Sequence, residues 1–262
     1  MISFYPGPSR VYDEVPTYVR DAHRKGLLSM NHRSEAFMDL YRETVLLLRQ
    51  KLDVPKTYSV FFLSSATECW EVLAQSLTRE KSIHVFNGAF GEKWFDYARR
   101  IHPSAEAITF DRNASPDPKK LLFDTGDLIC LTQNETSNGT QISNDTIRKI
   151  AKANPKHLVA VDATSSMAGI YLNFKNADIW FASVQKCFGL PAGLGLLICS
   201  PRAIHEAETI QENRHYNSVL LLNDMMRKWQ TSCTPNVLGI YLLKRTLEKV
   251  KPVRETEKVI RT

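Results

Sequence analysis

Lys186 and Asp162 are the two side chains of this 262-residue sequence whose type and setting most invite chemistry. The lysine lies in SVQKCFGLPAG, residues 183–193, between the apolar runs ADIWFASV and GLGLLIC. Lysine is seldom fully buried without a partner, so Lys186 is either a solvated loop lysine or a partly desolvated amine. In the second case burial weakens its hold on the proton and makes it a competent nucleophile. Asp162 closes the run HLVAV. A carboxylate at the end of a buried strand must find a cation or N–H groups, because an unpaired charge there is heavily penalised. Capping a helix is the other role open to it.

Three more clusters follow apolar runs in the same way. Ser64-Ser65-Ala66-Thr67 leads into a helical segment. Small and hydroxyl residues there present N–H groups to an anion, with the helix dipole adding to the attraction, or Ser65 or Thr67 serves as a cap. In Asn87-Gly88-Ala89-Phe90-Gly91 two glycines let backbone approach a ligand. Phe90 either lays its ring on a planar group or packs in the core. The stretch Gln133-Asn134-Glu135-Thr136-Ser137-Asn138-Gly139 is a polar cluster too dense for a simple turn.

The elements that must position these groups are legible as alternating runs. Strands are expected within 58–65, 82–88, 106–111, 127–134, 157–164, 177–184 and 193–200. Several are apolar throughout, as in a parallel sheet covered on both faces. Helical segments such as ECWEVLAQSL, EKWFDYARRI and NDTIRKIAKAN lie between them. This alternation predicts an α/β fold of three layers around a mostly parallel seven-stranded sheet. The last two strands are joined too closely for a helical crossover, so one of them is expected to run antiparallel. Ser34 is the expected cap of a long helix, and Ser200-Pro201 and Thr234-Pro235 each place a cap before a proline. The last helix is expected over about 235–250, followed by a charged tail with nothing to pack on.

In an open α/β sheet ligands bind beyond the carboxyl ends of the strands. Five such ends here carry an anion cradle, an aromatic plate, a polar cluster, a carboxylate and a lysine. One ligand uses all five: pyridoxal 5′-phosphate (PLP). It has a phosphate, a flat ring, a protonatable ring nitrogen and a carbonyl able to form a Schiff base.

Composition narrows the alternatives. The formal charge is +6, but the densest basic patches, Arg99-Arg100 and Lys119-Lys120, are short and lack interleaved aromatics. That argues for an anionic small ligand and against nucleic acid. The five cysteines form no CxxC pair, which disfavours a zinc site or disulfide framework and fits a reducing compartment. No metal site is expected. MISFYPGPSR has no secretory pattern, and no apolar stretch is long enough to span a bilayer, so a cytoplasmic protein without membrane contact is expected. The G-x-G-x-x-G fingerprint of dinucleotide oxidoreductases is absent, and Gly189, Gly193 and Gly195 have the wrong spacing for it.

The ordered set Ser64-Ser65-Ala66-Thr67, Asn87-Gly88-Ala89-Phe90-Gly91, Glu135-Thr136-Ser137-Asn138-Gly139, Val161-Asp162 and Ser183-Val184-Gln185-Lys186 resembles class V, fold-type I PLP enzymes. Among these it is most similar to phosphoserine aminotransferases, and then to serine–pyruvate and alanine–glyoxylate aminotransferases. The likeness runs from Phe4-Tyr5-Pro6-Gly7-Pro8 to Thr234-Pro235-Asn236. It implies that residues 14–250 form the cofactor-binding large domain. Residues 1–13 would be an N-terminal arm and 251–262 the start of a small C-terminal domain that the chain has only begun. It further implies that Lys186 forms the Schiff base and shuttles the proton. Asp162 would pair with the ring nitrogen, Phe90 would stack on the ring, and Thr136 would bond the ring hydroxyl. Gln185, Ser65, Ala66 and Thr67 would hold the phosphate. Thr234 would reach the phosphate of a neighbouring subunit, making a homodimer with shared active sites. His32 and Arg33 would face an anionic substrate group.

Two departures stand out. Thr67 occupies the place where many phosphoserine aminotransferases carry an arginine, and the residues that grip the substrate carboxylate in the family would lie beyond Thr262. The implied reaction is amino transfer from phosphoserine to 2-oxoglutarate, in serine biosynthesis. The alternatives are serine–pyruvate or alanine–glyoxylate transamination and a non-catalytic PLP-binding fragment. A cysteine desulfurase is disfavoured, because none of the five cysteines stands in an evident mobile catalytic loop.

Overall fold

The computed structural model describes residues 5–260, with side chains through residue 257. Phe4 of the amino-terminal motif, and the outermost residues of both terminal segments, lie outside the described residues. Helices α1 (Val15–Arg24) and α2 (Glu35–Leu52) come first. Ser34 caps α2 as expected, its hydroxyl accepting from the Phe37 N–H at 3.3 Å.

The chain then alternates: β1 (Ser59–Leu63), α3 (Ala66–Ser76), β2 (Ser82–Phe86), α4 (Ala89–Ile101) and β3 (Glu106–Thr109). Next come β4 (Leu128–Thr132), a small hairpin β5 (Asn134–Glu135) and β6 (Thr140–Gln141), α5 (Asn144–Ala153) and β7 (Leu158–Asp162). The last elements are β8 (Ile179–Ser183), β9 (Gly195–Cys199), α6 (Pro201–Ile210), α7 (Val219–Met226), α8 (Val237–Lys249) and α9 (Val253–Ile260).

Seven strands form one sheet in the order β1-β9-β8-β7-β4-β2-β3. Only β9 runs against the others, pairing antiparallel with both β1 and β8. The link from β8 to β9 contains no helix to carry the chain back across the sheet, which accounts for the reversal. Each of the seven lies inside a run expected from sequence. Val60 and Phe62 of β1 join the apolar cluster made with α1, α2, α5 and α8. Phe61 and Leu63 join the opposite cluster, made with α3, α4, α6 and α7. Both faces of the sheet are therefore covered, and each fully buried large apolar side chain contributes about 1.5–3 kcal/mol. Edge strand β3 is mostly exposed, and Lys81 pairs with its Glu106 at 2.8 Å.

Two expectations at the carboxyl end are corrected. The last long helix is capped by Asn236, whose side chain accepts from the Gly239 N–H at 2.8 Å, so Thr234 lies outside it. Both residue types make good caps, and the Val237 N–H bond to the Pro235 carbonyl (2.9 Å) turns the chain two residues later than the Thr-Pro pattern suggests. The tail, in turn, does pack. Val253 is buried, Arg254 pairs with Asp53, and its guanidinium lies 4.1 Å from the centre of the Tyr171 ring. Among the described residues no helix is long and apolar enough to cross a membrane.

Candidate active site

The carboxyl ends of β1, β2, β4, β7 and β8 meet around a cavity of about 160 Å³. Lys186, Asp162, Phe90 and Thr136 line it, together with Gln185 and the Ser65-Ala66-Thr67 turn. Eight of the eleven residues singled out from sequence thus face one space. Lys186 sits in the turn after β8, half-buried, and its Nζ donates to the Pro6 carbonyl at 2.9 Å.

Asp162 ends β7 and is 5% exposed. Its Oδ1 accepts from the Thr164 N–H at 2.9 Å and its Oδ2 from the Trp70 indole N–H at 3.3 Å. Burial pushes this carboxyl above the usual carboxylate range. Bonds from Thr164 and Trp70 offset the rise in part, and the negative charge of Glu135 adds to it. Among the described residues it has no cationic partner at ion-pair distance. A buried carboxylate bordering a cavity and served only by N–H groups fits a ligand that brings its own positive charge. A protonated pyridine nitrogen is such a charge. Trp70 was not singled out from sequence, and the apolar pattern around it offered no signal beyond a buried aromatic.

The anion cradle is smaller than expected. The Ser65 hydroxyl accepts from the Glu68 N–H at 3.1 Å and caps α3, while the Ala66 N–H is taken by the Ser183 hydroxyl at 2.7 Å. The Ala66 N–H is therefore committed within the protein, whereas the Ser65 hydroxyl, an acceptor in its cap, keeps its own proton to donate. Thr67, exposed on the first turn, is the residue whose N–H and hydroxyl are not so engaged.

The glycines before α4 also have an internal reason. A Cβ on Gly88 would stand 2.4 Å from Glu135 Cγ, and one on Gly91 would stand 2.3 Å from Phe86 Cβ. The buried Glu135 carboxylate accepts from the Phe90 and Gly91 N–H groups at 3.3 and 3.1 Å, and Ser137 accepts from Ala89 at 2.9 Å. The start of α4 is thus filled by the β5–β6 hairpin rather than by a ligand. That capping leaves the Phe90 ring out of the core, 42% exposed at the cavity wall. Thr136 shares a hydroxyl–hydroxyl bond of 2.6 Å with Ser165, which also lines the cavity. Lys93, one turn along α4 from Phe90, is a second cation on the wall that sequence reasoning passed over.

Three residues are not brought here. Arg33 donates to Gln230 Oε1 at 2.7 Å, next to the start of α2. Its neighbour His32 binds a proton less readily than usual, through burial and then the Arg33 charge. Thr234 lines a different cavity, with Ser64, Glu68 and Cys233.

Residues 6–259 match the family model described as aminotransferase class-V. The chain belongs to that family. It is 28% identical over 247 residues to the phosphoserine aminotransferase of Rhodococcus opacus, covering 92% of this chain and 65% of the relative. The Corynebacterium glutamicum phosphoserine aminotransferase is 30% identical, covering 90% of this chain and 63% of the relative. The crystal structure of a phosphoserine aminotransferase from Cytophaga hutchinsonii superposes with a TM-score of 0.88 at 32% identity, covering 93% of this chain and 69% of that one. The chain therefore spans about two thirds of these relatives, and its fold is that of fold-type I aminotransferases. Class-V aminotransferases depend on PLP, and the lysine, the unpaired buried carboxylate and the exposed aromatic plate of this cavity fit that cofactor.

Proposed function

We propose that this chain is the catalytic part of a PLP-dependent aminotransferase that takes the amino group of phosphoserine and passes it to 2-oxoglutarate. The observation that carries the reading is Asp162, buried without a cation beside the same cavity as Lys186. When bound there, PLP supplies an electron sink that weakens the Cα–H bond of an amino acid. Lys186 Nζ is the group to hold the cofactor's aldehyde carbon and to carry the Cα proton. Asp162 keeps the ring nitrogen protonated, and Phe90 shields one ring face from water. The Ser65 hydroxyl, Thr67 and Gln185 are left to hold the phosphate, and the Thr136–Ser165 hydroxyl pair to meet the ring hydroxyl. His32, Arg33 and Thr234 act from a second copy of the chain in a homodimer, since none of them lines this chain's own cavity.

A second reading is amino transfer from alanine or serine to a small keto acid. It is favoured by the lining of the cavity, whose cations are Lys93 and Lys186 with no guanidinium, as Thr67 stands where an arginine would.

The test is the visible spectrum of the purified chain with PLP, before and after borohydride, beside Lys186→Ala. A yellow band fixed covalently by borohydride only when Lys186 is present is expected. Phosphoserine with 2-oxoglutarate should then turn over faster than alanine with glyoxylate. A colourless wild type overturns the cofactor assignment. A coloured chain that turns over neither pair is a binding fragment, and preference for alanine selects the second reading.

A further inference from the structure

Among the described residues, the hydrogen bond that Lys186 Nζ makes lies outside the cofactor cavity. The Pro6 carbonyl that accepts from it is 180 residues away in sequence. Around this contact the segment from Pro6 to Tyr12 is strapped over the Lys186 turn. The Ser9 N–H bonds the Gln185 carbonyl at 2.7 Å, the Ser9 hydroxyl bonds the Lys186 carbonyl at 2.6 Å, and the Tyr12 N–H bonds the Gly189 carbonyl at 3.0 Å. Gly7 faces the amine, with φ at +152°. A Cβ at this position would stand 2.1 Å from Lys186 Nζ and 2.8 Å from Cε, so only glycine leaves room for the amine to lie where it does.

Lys186 also borders two spaces at once. One is the cavity shared with Asp162, and the other is a more open cleft of about 590 Å³ lined by Pro6, Gly7 and Ser9. The side chain stands at the boundary between the two.

We propose that the Pro6 carbonyl and Gly7 form a receiving recess for the Lys186 amine, occupied when that amine is neither bonded to the cofactor nor moving the Cα proton. This rests on the assignment of Lys186 as the cofactor-binding lysine. A lysine released in the course of a reaction needs an acceptor for its N–H groups. Left in the cavity, it would compete with the substrate for space. A backbone carbonyl accepts from an amine or an ammonium alike, so the recess serves the lysine before and after it takes up a proton. Pro6 and Gly7 are thus positioning residues that act through Lys186.

Gly7→Ala fills the recess, and the test compares it with wild type by two readouts. One is the affinity of the unloaded chain for PLP, by spectrophotometric titration. The other is the single-turnover rate with an amino donor in the loaded chain. Filling the recess removes the resting place that competes with cofactor binding, so PLP should bind as tightly as in wild type, or up to about threefold more tightly. The amino-donor step, in which the amine must leave, should slow by about tenfold or more. Simple damage to the fold has the opposite sign on the first readout. Weaker PLP binding, or an unchanged amino-donor step, overturns the proposal.

Ser9→Ala guards against a strained backbone at position 7, because it loosens the strap without adding an atom. It should hold the PLP affinity and slow the amino-donor step by about threefold. A loss of both, or of neither, counts against the recess. If the wild-type chain takes up no PLP, the cofactor assignment falls and the recess falls with it. If wild type binds PLP and the variants depart from the pattern, the recess alone falls.

Discussion

Asp162 and Asp178 stand at opposite ends of the β7–β8 pair, and burial holds both above the usual carboxylate range. Asp178 precedes β8 at the amino edge of the sheet. Its Oδ2 accepts from the Val159 N–H at 3.0 Å and faces the Arg202 guanidinium at 3.5 Å, while its Oδ1 accepts from the Ser200 hydroxyl at 3.1 Å. Strand, the start of helix α6 and a cation all pair with it, though its side chain keeps 14% exposure. Asp162, at the carboxyl edge, has two N–H donors, no cation among the described residues and the like charge of Glu135 nearby. A fold loses stability by holding a buried carboxylate without a counter-charge. The amino-edge carboxylate is a finished structural joint. The carboxyl-edge one borders a cavity with no counter-charge among the described residues, and this asymmetry, more than the cavity's size, is what supports the proposed site.

The comparison breaks most sharply at Asp162→Asn. Removing one partner of a buried charge pair costs about 3–5 kcal/mol, so PLP should bind about two hundredfold to five thousandfold more weakly in a spectrophotometric titration. The unloaded chain should behave oppositely. Because its carboxyl is raised in the fold, Asp162 favours folding most fully below the usual carboxylate range, and that advantage is lost as pH rises through the raised value. Thermal melts should therefore show Asp162→Asn gaining on wild type from acid to neutral pH. An unchanged PLP affinity would remove Asp162 from the site. Asp178→Asn should reverse the pattern. It removes the charge facing Arg202 and weakens the bonds to the Val159 N–H and Arg202, which costs about 1–3 kcal/mol of stability by urea unfolding, with PLP affinity within about twofold of wild type. If the Asp178 variant lost cofactor as the Asp162 variant does, the two edges would not differ in kind.

What the sequence made legible follows from range. Apolar runs ending in Asp162 or leading to Lys186 are local, and so are the caps Ser34 and Ser200; all were readable and all occur. What fills a strand end from afar was not. Glu135 caps α4 from 45 residues away, and Ser183 reaches the Ala66 N–H across 117. Both turned expected ligand contacts into internal ones. Thr234 and Asn236 are two adequate caps two residues apart, and the choice between them fell to the turn at Pro235. The tail looked unpartnered because Asp53 and Tyr171, which hold Arg254, lie far back in the chain. His32 and Arg33 show the limit from the other side, since a matching segment fixes no distance, and Arg33 is held by Gln230 away from the cavity.

The mildest test concerns Trp70, whose indole N–H is one of the two donors to Asp162. Trp70→Phe keeps an aromatic ring against Trp94, whose ring lies 6.4 Å away at 13°, and removes the donor. A hydrogen bond to a charged group contributes about 1.5–3 kcal/mol, and at 3.3 Å this one belongs at the weak end. PLP affinity should accordingly fall by about tenfold. The shape of the loss with pH separates the two roles open to Trp70. Without the N–H, Asp162 is harder to ionise, so the charged form that a pyridinium needs appears at higher pH. The loss should then be greatest in acid and shrink toward alkaline pH. A deficit equal at every pH would mean that Trp70 supports the site by packing alone, and that the Thr164 N–H is the bond that holds Asp162 ready.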